Sequence, residues 1–118
     1  MKKSQPQRNC VVTRGYTSPY SDSVELRPGE EVAIARKKSE WPGWIWCTNS
    51  EGKSCWAPES ILRISGDKAV VLSNYCSTEL TVVEGEELSI LDEESGWFWC
   101  LTRDDREGWV PGENVEIL

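Results

Sequence analysis

Six of the seven tryptophans stand in two matching patterns: Gly43-Trp44-Ile45-Trp46-Cys47 leading to Cys55-Trp56-Ala57-Pro58, and Gly96-Trp97-Phe98-Trp99-Cys100 leading to Gly108-Trp109-Val110-Pro111. Indole rings are flat and apolar with a single N–H donor at the tip, so the chemistry they offer is adhesion to another chain rather than bond making. Catalysis asks for a different constellation. There is no histidine, no Gly-rich phosphate loop and no Gly-x-Ser-x-Gly, and the carboxylates fall in turns and charged runs. No enzyme activity is expected, and no cofactor.

The five cysteines are the other reactive residues. Cys47 and Cys100 fall at the inward position of their strands, where a free thiol behaves as a small hydrophobe. Cys55 is placed to face Cys47 across the Asn49–Gly52 turn, as a disulfide or a two-thiolate contact, while Cys10 and Cys76 look unpaired. Without histidine or a C-x-x-C pair, no metal site is expected. Met1-Lys2-Lys3 is followed by polar residues with no apolar signal-peptide core, and no apolar run is long enough for a membrane span. The expectation is a cytoplasmic protein with reduced thiols and no membrane association.

A strand pattern that occurs twice means two copies of one small all-β module. Short β-branched or aromatic runs are separated by Gly, Pro, Asn and Ser, and helical periodicity is absent. Residues 1–9 read as a disordered tail, 10–64 as the first module, 65–68 as a short linker and 69–118 as the second module. Strands are expected at 10–13, 31–37, 43–48, 54–58 and 62–64, then at 68–72, 87–92, 97–102, 108–111 and 115–117. Asn49-Ser50-Glu51-Gly52 and Arg103-Asp104-Asp105-Arg106 are the hairpin turns, with Gly52 supplying a positive φ.

In order and spacing, four segments of each copy resemble Src-homology-3 (SH3) domains in tandem. Val71-Leu72-Ser73-Asn74-Tyr75 resembles the family's ALYDY opening, Glu79-Leu80-Thr81-Val82 with Gly85-Glu86-Glu87 its next segment, Gly96-Trp97-Phe98 its Trp pair and Gly108-Trp109-Val110-Pro111 its closing strand. The first copy repeats these as Gly15-Tyr16, Leu26 to Glu30, Gly43-Trp44-Ile45 and Trp56-Ala57-Pro58. The resemblance implies two tandem SH3-like five-stranded, partly open barrels. It further implies a non-catalytic adaptor or scaffold that binds an extended peptide, proline-rich in the family's usual case, through Trp-lined grooves. Carried over by position, the first groove is Tyr16, Trp44 and Pro58 and the second Tyr75, Trp97 and Pro111. Trp46, Trp56, Trp99 and Trp109 flank them, and Asp22, Glu25 and Glu79 stand at the loop acids. Two family tyrosines are replaced, by Arg14 and Ser73 at one position and by Ile61 and Asn114 at the other. Two other readings fit the same rings: a bacterial SH3-type module for cell wall and peptidoglycan, and a scaffold whose tryptophans pack the two barrels together.

The formal charge is −7, which argues against nucleic acid as a partner because phosphate binding needs a basic surface. Residues 1–64 balance at +3 and residues 65–118 at −10. Arg36-Lys37-Lys38 in one copy aligns with Asp92-Glu93-Glu94 in the other. Opposite runs at an equivalent edge are expected to attract one another, within a chain or head to tail between chains.

Overall fold

The computed structural model describes residues 8–20, 23–35 and 42–118. Residues 1–7 of the expected tail, together with Asp22, Arg36, Lys37 and Lys38, lie outside the described residues. The fold is all-β, with strands β1 (Arg8–Val12), β2 (Glu25–Leu26), β3 (Glu31–Ala35), β4 (Trp44–Thr48), β5 (Ser54–Pro58), β6 (Leu62–Ser65), β7 (Lys68–Val71), β8 (Tyr75–Cys76), β9 (Glu87–Glu94), β10 (Trp97–Leu101), β11 (Glu107–Pro111) and β12 (Val115–Ile117). Single 3₁₀ turns, Glu59–Ile61 and Gly112–Asn114, precede β6 and β12.

Alternation explains the long strands. Val32 and Ile34 are buried along β3 while Glu31, Ala33 and Ala35 are exposed, and along β9 Leu88 and Ile90 are buried while Glu87 is exposed and Ser89 and Leu91 half-buried. That period of two places one row of side chains in a core and the other in solvent. The β4–β5 hairpin is closed by Asn49, whose Oδ1 accepts the Glu51 and Lys53 N–H groups at 2.9 and 3.0 Å, with Gly52 at φ +83°. At the β10–β11 turn Thr102 Oγ1 accepts the Arg106 N–H at 2.9 Å, and Asp105 takes the positive φ.

The chain divides into two compact units, one formed by Met1–Ser21 with Thr78–Leu118 and the other by Asp22–Ser77. The discontinuous unit holds a sheet of order β11-β10-β9-β1-β12, and the continuous unit a sheet of order β5-β4-β3-β7-β6 beside the two-stranded β2-β8. Repeat for repeat the orders are the same, except that the strand between the second and last strands of each copy comes from the other copy. β1 opens the first repeat, yet it pairs with β9 and β12 of the second; β7 opens the second, yet it pairs with β3 and β6 of the first. The compact units are therefore offset by one strand and one loop from the 10–64 and 69–118 repeats.

A local turn accounts for half of this. Ser65–Lys68, which reads as a linker, is a two-residue hairpin: Ser65 pairs with Lys68, and Gly66 holds φ +64° at the first central position. Such a turn matches strand twist and folds β7 straight back onto β6. At the other end Arg8 and Asn9, read as tail, are strand residues paired with Ile90 and Ser89. In neither sheet do the outer strands pair with each other, so both sheets are open at their edges. The core of the discontinuous unit is built from Cys10, Val12, Leu80, Val82, Ile90, Phe98 and Val110 among others.

Candidate functional site

The exchange of β1 and β7 redistributes the aromatic residues. Tyr16 follows β1 into the discontinuous unit, where its N–H donates to Val82 O at 2.9 Å and its carbonyl accepts the Val82 N–H at 2.8 Å. Its ring stands edge-on to Trp97, with centroids 5.7 Å apart and planes at 85°. Pro111 is the direct cross-strand neighbour of Trp97. In the continuous unit Tyr75 pairs with Leu26, its hydroxyl donates to Trp56 O at 2.7 Å, and Trp44 faces Pro58 across β4–β5. The tyrosines thus change places relative to the sequence expectation. Tyr16 shares a unit with Trp97 and Pro111, and Tyr75 shares one with Trp44 and Pro58.

Exposure also departs from that expectation. Trp44, Trp97 and Trp109 are 8%, 6% and 7% exposed, and Pro58 and Pro111 are fully buried. The rings left half-exposed are Tyr16, Trp46, Trp56 and Trp99. Trp46 faces Trp56 and Trp99 faces Trp109 in register, with centroids 5.1 and 5.2 Å apart and planes at 67° and 74°. Asn49 N–H bonds Lys53 O, and Thr102 N–H bonds Arg106 O. Counting three pairs along each ladder places both tryptophan pairs at non-hydrogen-bonded positions, where cross-strand side chains come closest. Edge-to-face geometry suits such a pair, since the positive edge of one ring meets the negative face of the other. The sequence contained this pairing, because the spacing from Trp to turn is symmetric in both hairpins.

Glu79 accepts a hydrogen bond from Tyr16 Oη at 2.6 Å. Burial raises the Glu79 carboxyl above the usual range, partly countered by that bond, and burial with the adjacent carboxylate raises the Tyr16 hydroxyl. Glu79 is therefore engaged within the protein rather than standing free for a ligand. Glu25 is exposed and, with Leu26, Arg27, Asn74, Tyr75 and Cys76, lines a shallow cleft of about 370 Å³ in the continuous unit. Glu93 and Glu94 lie beyond the expected 87–92 strand, yet with Asp92 they extend β9 alongside β10, and Glu93 pairs with Arg8 at 3.2 Å.

Asn114, which stands where the family has a groove tyrosine, is buried and ties the chain together. Its buried amide donates to the carbonyls of Arg14 and Gly15 at 3.0 and 3.2 Å, and its own carbonyl accepts the Thr13 N–H at 2.8 Å. It clasps the segment after β1 to the second repeat. None of the five thiols is in a disulfide. Cys47 and Cys55 do face each other in register, and burial pushes them up to about 11 and about 12. Cys10 does have a neighbour, because its thiol shares a hydrogen bond with Cys100 in the same core. Among the described residues no group of three or more Cys, Asp or Glu could hold a metal ion, and no helix is long and apolar enough to cross a membrane.

Residues 69–118 match the family model described as a variant SH3 domain. The SH3 and PX domain-containing protein 2A of Homo sapiens is 30% identical over 93 residues, and that of Mus musculus 28% over the same length. Each alignment covers 75% of this chain and 8% of the relative, so the chain spans a small fraction of the curated relatives it matches. No solved structure matches the chain. The family match begins at Ala69, within β7, although the strand that completes the sheet of β9 to β12 is β1.

Proposed function

Taking residues 69–118 as a variant SH3 domain, we propose that this chain is a non-catalytic, cytoplasmic protein-interaction module made of two SH3-like open barrels. Each barrel binds an extended peptide of a partner protein across its aromatic face. The observation that carries this reading is the edge-on Tyr16–Trp97 pair beside Pro111. Tyr75, Trp44 and Pro58 repeat the same trio of residue types in the other unit. Of these six residues Tyr16 is the half-exposed one, so a ligand already extended and lacking internal hydrogen bonds would meet its ring first, backed by the buried tryptophan and proline. Five cysteines outside any disulfide support a reducing compartment.

Burial of Trp44, Trp97 and Trp109 favours a second reading, in which those three indoles serve packing while Tyr16, Trp46, Trp56 and Trp99 present contact area. A peptide array probed with the full chain separates the two. The array should carry PxxP and non-proline extended peptides and be repeated with Tyr16→Ala after circular dichroism has shown that variant folded. Loss of about 2 kcal/mol or more of binding would mark Tyr16 as a hot spot. Equal capture by both proteins, or capture of no peptide, would reject the Tyr16 groove and leave the packing reading.

A further inference from the structure

β1 and β7 fill equivalent slots with nearly the same residues. Cys10-Val11-Val12 and Ala69-Val70-Val71 share one burial pattern, buried at the first and third positions and half-buried at the second. By shape either strand suits either slot. Attachment and charge distinguish them. β7 is tied to β6 through the two-residue turn at Gly66-Asp67. β1 has no such hairpin to the strands beside it, and its ties to them are non-covalent: ladder pairs to β9 and β12, the Asn114 clasp, and the ion pairs Arg8–Glu93 at 3.2 Å and Arg14–Glu113 at 3.6 Å. Residues 1–21 carry four basic and no acidic side chains. Residues 78–118 carry two basic and twelve acidic, while the remainder of the first repeat, 22–64, carries six and seven. A basic arm is thus drawn to a strongly acidic body rather than to the nearly neutral one that sequence order would give it.

We infer that the arm of residues 8–20 is an exchangeable strand, and that the slot between β9 and β12 of one copy accepts the arm of a second copy. The product is a reciprocally exchanged dimer in which each Tyr16–Trp97 pair and each Tyr16–Glu79 hydrogen bond is assembled from two chains. A second copy is the favoured occupant because only one strand has to detach. Filling the slot with β7 would also break the β6–β7 hairpin. Exchange of identical elements keeps every native contact, so the monomer and the dimer differ mainly in the entropy of association and in the connection between units.

Complementary charge reversals in the full chain test this. One variant carries Arg8→Glu and Arg14→Glu, the other Glu93→Arg and Glu113→Arg, all at solvent-exposed side chains. Alone, each variant sets like charges at both contacts. In a mixed exchanged dimer both slots regain opposite charges. Native mass spectrometry of an equimolar mixture at low salt should show the heterodimer at least tenfold above either homodimer, declining in 0.5 M salt by screening. Should the single variants fail to fold alone, the heterodimer would appear on mixing together with recovered near-ultraviolet dichroism. A mixture containing only the two monomers, or homodimers as abundant as the heterodimer, overturns the inference. The same holds for two unfolded variants that stay unfolded together while the chain with all four reversals folds.

Discussion

Shortening one valine in each exchanged strand tests the fold most directly. Val12 and Val71 are each 1% exposed and occupy equivalent slots. Valine to alanine removes two methyl-sized groups, about 1.6 kcal/mol at about 0.8 per group. The cavity left behind brings the cost to roughly 2–3 kcal/mol. Because β1 lies in the sheet of β9 to β12, Val12→Ala should weaken the unit carrying Trp97, Trp99 and Trp109. Val71→Ala should weaken the unit carrying Trp44, Trp46 and Trp56. Indole N–H resonances followed through a urea titration report each unit separately. With a slope of about 1 kcal/mol per molar for so small a unit, the affected midpoint falls by about 2–3 M. If Val12→Ala instead lowers the midpoint of Trp44, Trp46 and Trp56 and spares the other three, each repeat folds on itself and the strand exchange is wrong.

Glu79→Gln should alter the pH dependence of the discontinuous unit. The folded Glu79 carboxyl is raised by burial, so its contribution is unpenalised below the unfolded value and stability is lost as pH rises through the folded one. Urea midpoints measured from pH 4 to 8 should therefore show the Gln variant gaining on the wild type as pH rises, and a constant difference would refute the desolvation argument. Gly108→Ala should destabilise the same unit by roughly 1–3 kcal/mol, as overpacking does. A Cβ there would meet Leu80 Cγ at 2.9 Å and Thr78 O at 3.1 Å, and an unchanged thermal midpoint would refute the close approach. Native thiol titration at pH 8 with an aromatic disulfide reagent should modify Cys76 first, since it is the half-exposed cysteine while Cys47 and Cys55 are held protonated to about 11 and about 12. Rapid reaction of two or more thiols would contradict that burial.

Much of the secondary structure was legible in the chain because its signals are local. Among the described residues, ten of the twelve strands fall where alternation and turn residues place them, and β2 and β8 were missed because two-residue pairs leave no period to read. The Trp46–Trp56 and Trp99–Trp109 pairs were implicit in the symmetric spacing about their turns. Partnership between strands is different in kind. Cys10-Val11-Val12 and Ala69-Val70-Val71 carry the same hydrophobic pattern, so periodicity cannot say which sheet either one completes. That choice rests on non-local terms: the Gly66-Asp67 hairpin that keeps β7 with β6, the Asn114 clasp, and an acidic second repeat that holds the basic arm at Glu93 and Glu113. Residue type and spacing determined an all-β chain with duplicated Trp hairpins. Only tertiary structure decided that each tyrosine would meet the tryptophans of the other repeat, because identical slots leave the assignment to interactions between residues up to about a hundred positions apart, which no local pattern encodes.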